Sequence, residues 1–259
     1  QKMSKHQKQY SGPAAPPIAV VGVSALFPGS TDARGFWRDI MEGRNQIREV
    51  PPEHWLLEDY YDPDPSVPDK TYGNTGAFMD PIAFDALAYG VPPNAIQQTD
   101  TSQLLGMMVA DRVLDDAANG AFPHIDKDRI SVILGATGTT ELGVHLGARL
   151  QRPIWLNALR ENGVPEDEAQ AICDDIASTY VPWTEAAFPG LLGNVIACRI
   201  ANRFDLGGTN GVVAAACASS LSALSMGLSE LYLRQSDMVI IGGVDTLNDV
   251  LMYMCFSKT

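Results

Sequence analysis

An α/β fold is the reading this sequence supports, and three observations carry it. Short apolar runs rich in Val, Ile and Ala occur at residues 18–23, 130–134, 211–216 and 236–241, each next to a glycine-bearing turn, which is the pattern of buried strands. Between them stand longer stretches whose apolar residues repeat at helical spacing. The composition, 46% hydrophobic and 19% charged over 259 residues, is that of a globular chain long enough to bury a core.

Residues 1–17 are polar, then rich in Pro and Ala around Pro13, Pro16 and Pro17, which suits a flexible leader or a linker between domains. The folded part is expected at 18–259. Residues 18–23 form the first strand candidate, and 31–43 a helix with Phe36, Trp37 and Ile40 on its buried face. A dinucleotide-binding turn between them needs G-x-G-x-x-G, whereas Gly22 is followed by Ser24, Ala25 and Phe27, so that chemistry is set aside. Residues 50–64 hold Pro51, Pro52, Trp55, Tyr60 and Tyr61 without a helical period, and a long ordered surface loop is expected. A short edge strand is expected within 78–84. Residues 99–119 read as a helix whose stripe of Leu104, Leu105, Met108, Val109, Val113 and Leu114 faces the core.

The run 130–134 is the next buried strand, closed by G-A-T-G-T-T-E at 135–141. Loops after strand C-termini line the ligand crevice of an open α/β sheet, so this hydroxyl-rich loop either borders a site or is a turn with local Thr caps. Residues 165–180, with Glu166, Asp167, Glu168, Asp174 and Asp175, form an acidic helix with a solvated face. A helical stretch over 188–204 places Leu192, Val195, Ile196, Ile200 and Phe204 on one face. A further strand spans 236–241 before Gly242 and Gly243, and 252–259 closes the chain.

The stretch that organises the rest is N-G-V-V-A-A-A-C-A-S-S-L-S-A-L-S-M-G-L-S-E-L-Y at 210–232. Residues 211–216 suit a strand buried on both faces, and from Ser219 onward Leu221, Leu224, Met226, Leu228, Leu231 and Tyr232 recur at helical spacing. The chain is therefore expected to turn from strand straight into helix, with Cys217 at the helix N-terminus. Unpaired N–H groups and the positive end of the helix dipole stabilise an anion there, which makes a nucleophilic thiolate available. Ala214, Ala215, Ala216, Ala218, Ser219 and Ser220 leave room around the sulfur. The other reading of Cys217 is a packing cysteine.

Net charge excludes one class of partner. With 18 Lys and Arg against 31 Asp and Glu, the chain carries −13 and shows no basic stripe, which argues against nucleic acid. Cys173, Cys198, Cys217 and Cys255 form no C-x-x-C pair, so neither a zinc site nor a disulfide framework is indicated. The polar N-terminus lacks a signal-like apolar region, and no stretch has eighteen consecutive apolar residues. A cytoplasmic, non-membrane protein is expected.

Ala216-Cys217-Ala218-Ser219-Ser220-Leu221 resembles the active-site motif D-x-A-C-x-S-S of the β-ketoacyl synthases, with Ala214 where that family usually has aspartate. Residues 18–29 resemble the family opening I-A-x-x-G-x-x-x-x-F-P-G/A, and Phe36-Trp37 its F-W pair. The runs G-A-T-G-T-T-E-L, F-P-G-L-L-G-N-V, N-R-F-D-L-G-G-T-N and M-Y-M-C-F-S-K-T look most like the first ketosynthase of polyunsaturated fatty acid synthases, with iterative polyketide synthases also similar.

The resemblance implies a thiolase-like fold, five layers α–β–α–β–α when complete, of which this chain holds the first half. It implies decarboxylative Claisen condensation, with Cys217 taking an acyl group from an acyl carrier protein phosphopantetheine and backbone N–H groups holding the oxyanion. No metal or bound cofactor is implied. Thr137 and Thr139 are candidates for the acyl pocket, and Phe256 either gates the nucleophile or packs in the core. Partners implied are the carrier protein, the remaining domains of a synthase, and a second copy paired through 211–216. The family's two histidines, one in H-G-T-G-T, are expected beyond Thr259, since His6, His54, His124 and His145 match neither motif. A chain lacking both is expected not to condense alone. The alternative is a non-catalytic protein of the chain-length-factor kind or a scaffold, which Ala214 and the missing histidines favour and the retained cysteine disfavours; a cysteine hydrolase ranks third.

Overall fold

The computed structural model describes residues 16–118 and 126–259. Most of the expected leader, together with His6 and His124, lies outside the described residues. Among them the elements run α1 Ala33–Glu42, β1 Arg48–Glu49, α2 Leu57–Tyr60, β2 Thr75–Gly76, α3 Thr101–Ala118, β3 Ile130–Ala136 and α4 Glu141–Arg149. They continue through α5 Arg152–Glu161, α6 Glu166–Ser178, α7 Ala187–Leu191, α8 Val195–Phe204, β4 Asn210–Val213, α9 Ser219–Tyr232, β5 Met238–Val244 and α10 Val250–Ser257.

The centre is a three-stranded parallel sheet in the order β4-β3-β5. Every residue of β3 is buried, as a middle strand covered on both faces requires. Ile130, Val132, Leu134 and Ala136 point to one face, where they meet Met107 of α3 and Ile196 and Ile200 of α8. Burying each large side chain of this cluster contributes about 1.5–3 kcal/mol. On the opposite face α9 lies against β3 and β5. Alternation along β3 thus explains why 130–134 reads as one continuous apolar run.

A buried amide ties the helices together. Gln103 is fully buried; its Nε2 donates to the carbonyls of Pro189, Gly190 and Leu192, and Arg199 Nε donates to its Oε1. Buried Asp100 accepts at Oδ1 from the Ser102 N–H and at Oδ2 from the Leu142 N–H. These bonds fix α3 to α7, α8 and the start of α4, and leave the amide of Gln103 satisfied. Of the expected stripe α3 buries Met108 and Leu114 and leaves Leu104, Leu105, Val109 and Val113 half-buried, while Met107 and Ala110 beside it are buried as well. The acidic helix α6 exposes Glu166, Asp167, Glu168, Asp174 and Asp175, as expected.

Several expectations need correction. Residues 18–23 form no strand: no strand pairs with them among the described residues, and without a ladder their β-branched side chains specify nothing. α1 begins at an Asp32 cap that accepts from the Gly35 N–H and ends at Gly43 with φ 63°, as its sequence signals imply. Its buried residue, however, is Asp39, held by Ser30 Oγ at 2.7 Å and Gln46 Nε2 at 2.8 Å, while Phe36, Trp37 and Ile40 are exposed. Periodicity finds an apolar face; what covers that face is not in the helix. The stretch 50–64 is not a surface loop throughout, since Val50 and Trp55 are buried with Phe78 against Tyr253 and it contains α2. The short edge strand lies at β2, antiparallel to β1, rather than at 78–84. The stretch 188–204 divides into α7 and α8. Residues 211–216 are not buried on both faces: β4 is an edge strand that ends at Val213. Among the described residues no helix is long and apolar enough to cross a membrane.

Candidate active site

The three parallel strands end at one edge. Register pairs Gly135 of β3 with Val213 of β4 and with Gly243 of β5, so the segments 137–140, 214–218 and 245–249 all leave the same side of the sheet. This is the edge at which open α/β sheets bind ligands.

Cys217 lies on the segment that leaves β4. Residues 214–218 are exposed, Ala216 adopts a left-handed φ of 48°, and α9 begins at Ser219. Two backbone bonds close the turn, Ala218 N–H to the Ala215 carbonyl at 3.0 Å and Ser219 N–H to the Ala216 carbonyl at 3.1 Å. The Ser219 hydroxyl straddles it, accepting from the Ala215 N–H at 2.8 Å and donating to the Ala216 carbonyl at 2.7 Å. Among the described residues nothing accepts from the Cys217 N–H. Ala218, at the cap position, offers no side-chain acceptor to the helix. A thiol and free backbone donors are therefore presented together at the positive end of α9.

Glycine sets how closely α9 approaches the sheet. A Cβ on Gly135 would stand 2.5 Å from the carbonyl carbon of Ser219 and from the Ser220 nitrogen. A Cβ on Gly227 would stand 2.5 Å from Ile241, and Ala223 beside it is fully buried. Ala223 and Gly227 of α9 thus face the sheet. Large residues do not: Leu221 is 70% exposed, and Leu224, Met226, Tyr232 and Leu233 are exposed as well. α9 thus keeps large apolar side chains on the side away from the sheet as well, the pattern of a helix covered from a second side.

The other predicted site residues take different places. Thr137 and Thr139 line a narrow cleft with Asp100, Ser102, Asp245 and Thr246, which Cys217 does not enter. The local-cap reading of this loop belongs to Thr140, whose hydroxyl accepts from the Gly143 N–H at the start of α4. Phe256 on α10 is 68% exposed and does not pack in the core. The structure brings these elements to one edge without joining the side chains to Cys217. Of the other cysteines, Cys173 is buried in α6, while Cys198 and Cys255 are exposed on α8 and α10. Exposure alone does not single out Cys217; its left-handed turn does.

Sequence reading missed three features of this edge. The backbone state of Ala216 and the back-reaching hydroxyl of Ser219 have no periodic signature, although Ser219 falls within the quoted motif. The third is Glu141, whose carboxyl burial pushes above the usual carboxylate range; His145 opposes this, Asp100 and Asp249 add to it, and His54 opposes it. No group of three His, Cys, Asp or Glu side chains among the described residues is placed to hold a metal ion.

The family model for the N-terminal domain of β-ketoacyl synthases matches residues 15–259. The chain is 34% identical over 242 residues to a polyunsaturated fatty acid synthase polypeptide of Thraustochytrium sp., covering 93% of this chain and 9% of that protein. It is 28% identical over 236 residues to the non-reducing polyketide synthase VdtA of Byssochlamys spectabilis, covering 90% and 9%. It thus spans only a small part of the curated relatives it matches. Among solved structures, an oxazolomycin ketosynthase domain of Streptomyces albus JA3453 superposes with a TM-score of 0.67 at 23% identity, covering 92% of this chain and 36% of that one. The ketosynthase from module 6 of the bacillaene synthase of Bacillus subtilis 168 gives 0.63 at 24%, covering 92% and 34%.

Proposed function

The chain belongs to the β-ketoacyl synthase family, by its N-terminal domain, and from that membership we propose that Cys217 is the nucleophile of a decarboxylative Claisen condensation in fatty acid or polyketide chain elongation. The fold is the thiolase-like α/β fold of the ketosynthases. One observation carries the reading: an exposed thiol stands on a left-handed turn between the end of a parallel strand and the start of a helix, beside its own free N–H.

In the first stage the Cys217 thiolate attacks the carbonyl carbon of an acyl thioester carried on acyl carrier protein phosphopantetheine. An Sγ–C bond forms, the oxyanion accepts from the Cys217 N–H, and the carrier thiol leaves with a proton. In the second, a malonyl thioester loses carbon dioxide, and the electron pair of the broken C–C bond attacks the acyl carbonyl, releasing the Cys217 thiolate. That step builds negative charge and needs donors where the charge develops. His54 lies tilted against Phe78, and His145 meets Tyr180 edge-on. We assign the step to the family's two histidines, whose motifs none of the four histidines here matches, and on that reading expect the chain alone to self-acylate slowly without condensing.

The acyl carrier protein and the other domains of a multidomain synthase are the partners this reading implies. The apolar outer face of α9 fits cover by another part of such a synthase. The open edge of β4 fits pairing with a second copy through 211–216. Thr137 and Thr139, and Phe256 as a gate, are assigned to the acyl pocket, and the four free thiols fit a reducing, cytoplasmic setting.

The test is to treat the full-length protein with an acyl thioester and map the modified peptide. Cys217 is expected to carry the acyl group, and Cys217→Ala to abolish both acylation and condensation. Acylation of Cys173, Cys198 or Cys255 in its place would refute the assignment. Full condensation by Cys217→Ala would favour a non-catalytic role for this domain.

A further inference from the structure

We infer that Ser219 is a positioning residue that aims the Cys217 N–H at the developing oxyanion; this rests on Cys217 being the acylated nucleophile. A serine at the start of a helix ordinarily caps it, its oxygen accepting from N–H groups ahead of it in the chain. Ser219 works backward. Its hydroxyl accepts from the Ala215 N–H at 2.8 Å and donates to the Ala216 carbonyl at 2.7 Å, both before the cysteine. The same Ala216 carbonyl also accepts from the Ser219 N–H at 3.1 Å, so one residue holds it twice.

That carbonyl and the Cys217 N–H belong to a single peptide unit. A trans peptide is planar, and its C=O and N–H point in opposite directions. Fixing the Ala216 oxygen toward Ser219 therefore turns the Cys217 N–H the other way, where no protein group among the described residues accepts from it. The N–H is left for the tetrahedral intermediate formed at its own Sγ.

Ala216 shows that the turn is held against a cost. Its φ of 48° lies in the left-handed region, which is unfavourable for an alanine and persists only where neighbours impose it. The Ser219 bonds are the neighbours that do so, and Ser219 is itself anchored where α9 rests on Gly135. Without the hydroxyl, the Ala215 N–H loses its acceptor and the Ala216 carbonyl keeps one bond of two. The peptide is then free to rotate its donor out of line.

The experiment compares two reactions of the same sulfur in the full-length protein. Acylation by an acyl N-acetylcysteamine thioester passes through an oxyanion; alkylation by iodoacetamide displaces iodide and does not. Ser219→Ala is expected to slow acylation of Cys217 by roughly tenfold, short of the loss seen when an oxyanion donor is removed outright. Iodoacetamide labelling is expected to stay within about twofold, because the thiolate keeps its place at the helix N-terminus. Ser219→Thr, which keeps the hydroxyl, is expected to recover most of the acylation rate and tests the same claim in a second background. Acylation at the wild-type rate in Ser219→Ala overturns the inference. So does a parallel fall of both reactions with a lowered Tm, which makes Ser219 a support of the fold only. If wild-type protein acylates a cysteine other than Cys217, the nucleophile assignment fails first, in a measurement that involves no Ser219 variant.

Discussion

Glu141 opens α4 at the edge where the three strands end, and burial raises its carboxyl above the usual range. A raised value means the folded chain favours the protonated acid. Its contribution to stability is full below the value of an unfolded carboxyl and is lost as the pH rises through the folded one. Glu141→Gln stays neutral throughout, so it is expected to raise Tm at about pH 7 and to leave it nearly unchanged at about pH 4. Thermal melts of the full-length protein in the two buffers check this, and an equal shift in both would rule out burial of charge as the cause. Asp39 is the opposite case: the Ser30 hydroxyl holds its carboxyl below the usual range, against burial and aided by Gln46 and Arg44. It anchors α1 by hydrogen bonds in place of the apolar contacts its neighbours seemed to promise.

The position of α9 decides where Cys217 stands. Gly135 lets the first turn of that helix rest on β3, and a methyl there meets backbone atoms that have no rotamer with which to yield. Gly135→Ala is expected to cost about 1–3 kcal/mol, in the range of overpacked cores. It should also slow Cys217 acylation, because the helix start and the turn before it move as one unit. Melting and acylation measured on the same preparation check this; an unchanged acylation rate with lowered stability would show that the turn holds itself. Ala223, fully buried against the sheet, makes the companion case. Ala223→Leu should destabilise through the same crowding, yet lies more than one turn from Cys217 and should affect acylation less.

The sheet has one strand edge whose exposure is easy to test. β4 pairs only with β3 on its inner side, and its outer side carries Asn210 to Val213 without a partner strand among the described residues. Such an edge invites pairing with another copy. A Cβ at Gly211 meets nothing within 4 Å, so Gly211→Lys fits the protomer and places a charge on the edge. We expect the full-length protein to sediment as a dimer and Gly211→Lys to shift it toward monomer without a change in melting of the protomer. A wild-type monomer would remove the proposed pairing. The net charge of −13 does not alter this expectation, since residues 211–216 carry no charge.

Much of this protein was legible from local patterns. The alternation of strand and helix, the burial of 130–134, the solvated face of 165–180 and the placing of Cys217 between a strand and a helix follow from period and small-residue runs that lie within single segments, although the strand ends at Val213 and a turn over 214–218 intervenes where a direct passage was expected. Other features depend on which surface meets which. Residues 18–23 have strand propensity without a partner ladder, and α1 carries an apolar face that stays exposed apart from the contact of Phe36 with Phe27. Leu221 and Leu224 of α9 turn outward because Ala223 and Gly227 are the positions that fit against the sheet. The φ of Ala216 and the two bonds of Ser219 lie where the helix start rests on Gly135, a contact from a distant strand. Period reports that a face exists and that a turn must fall nearby; the neighbour supplied from elsewhere in the chain determines which face is buried and how the peptide before Cys217 is aimed.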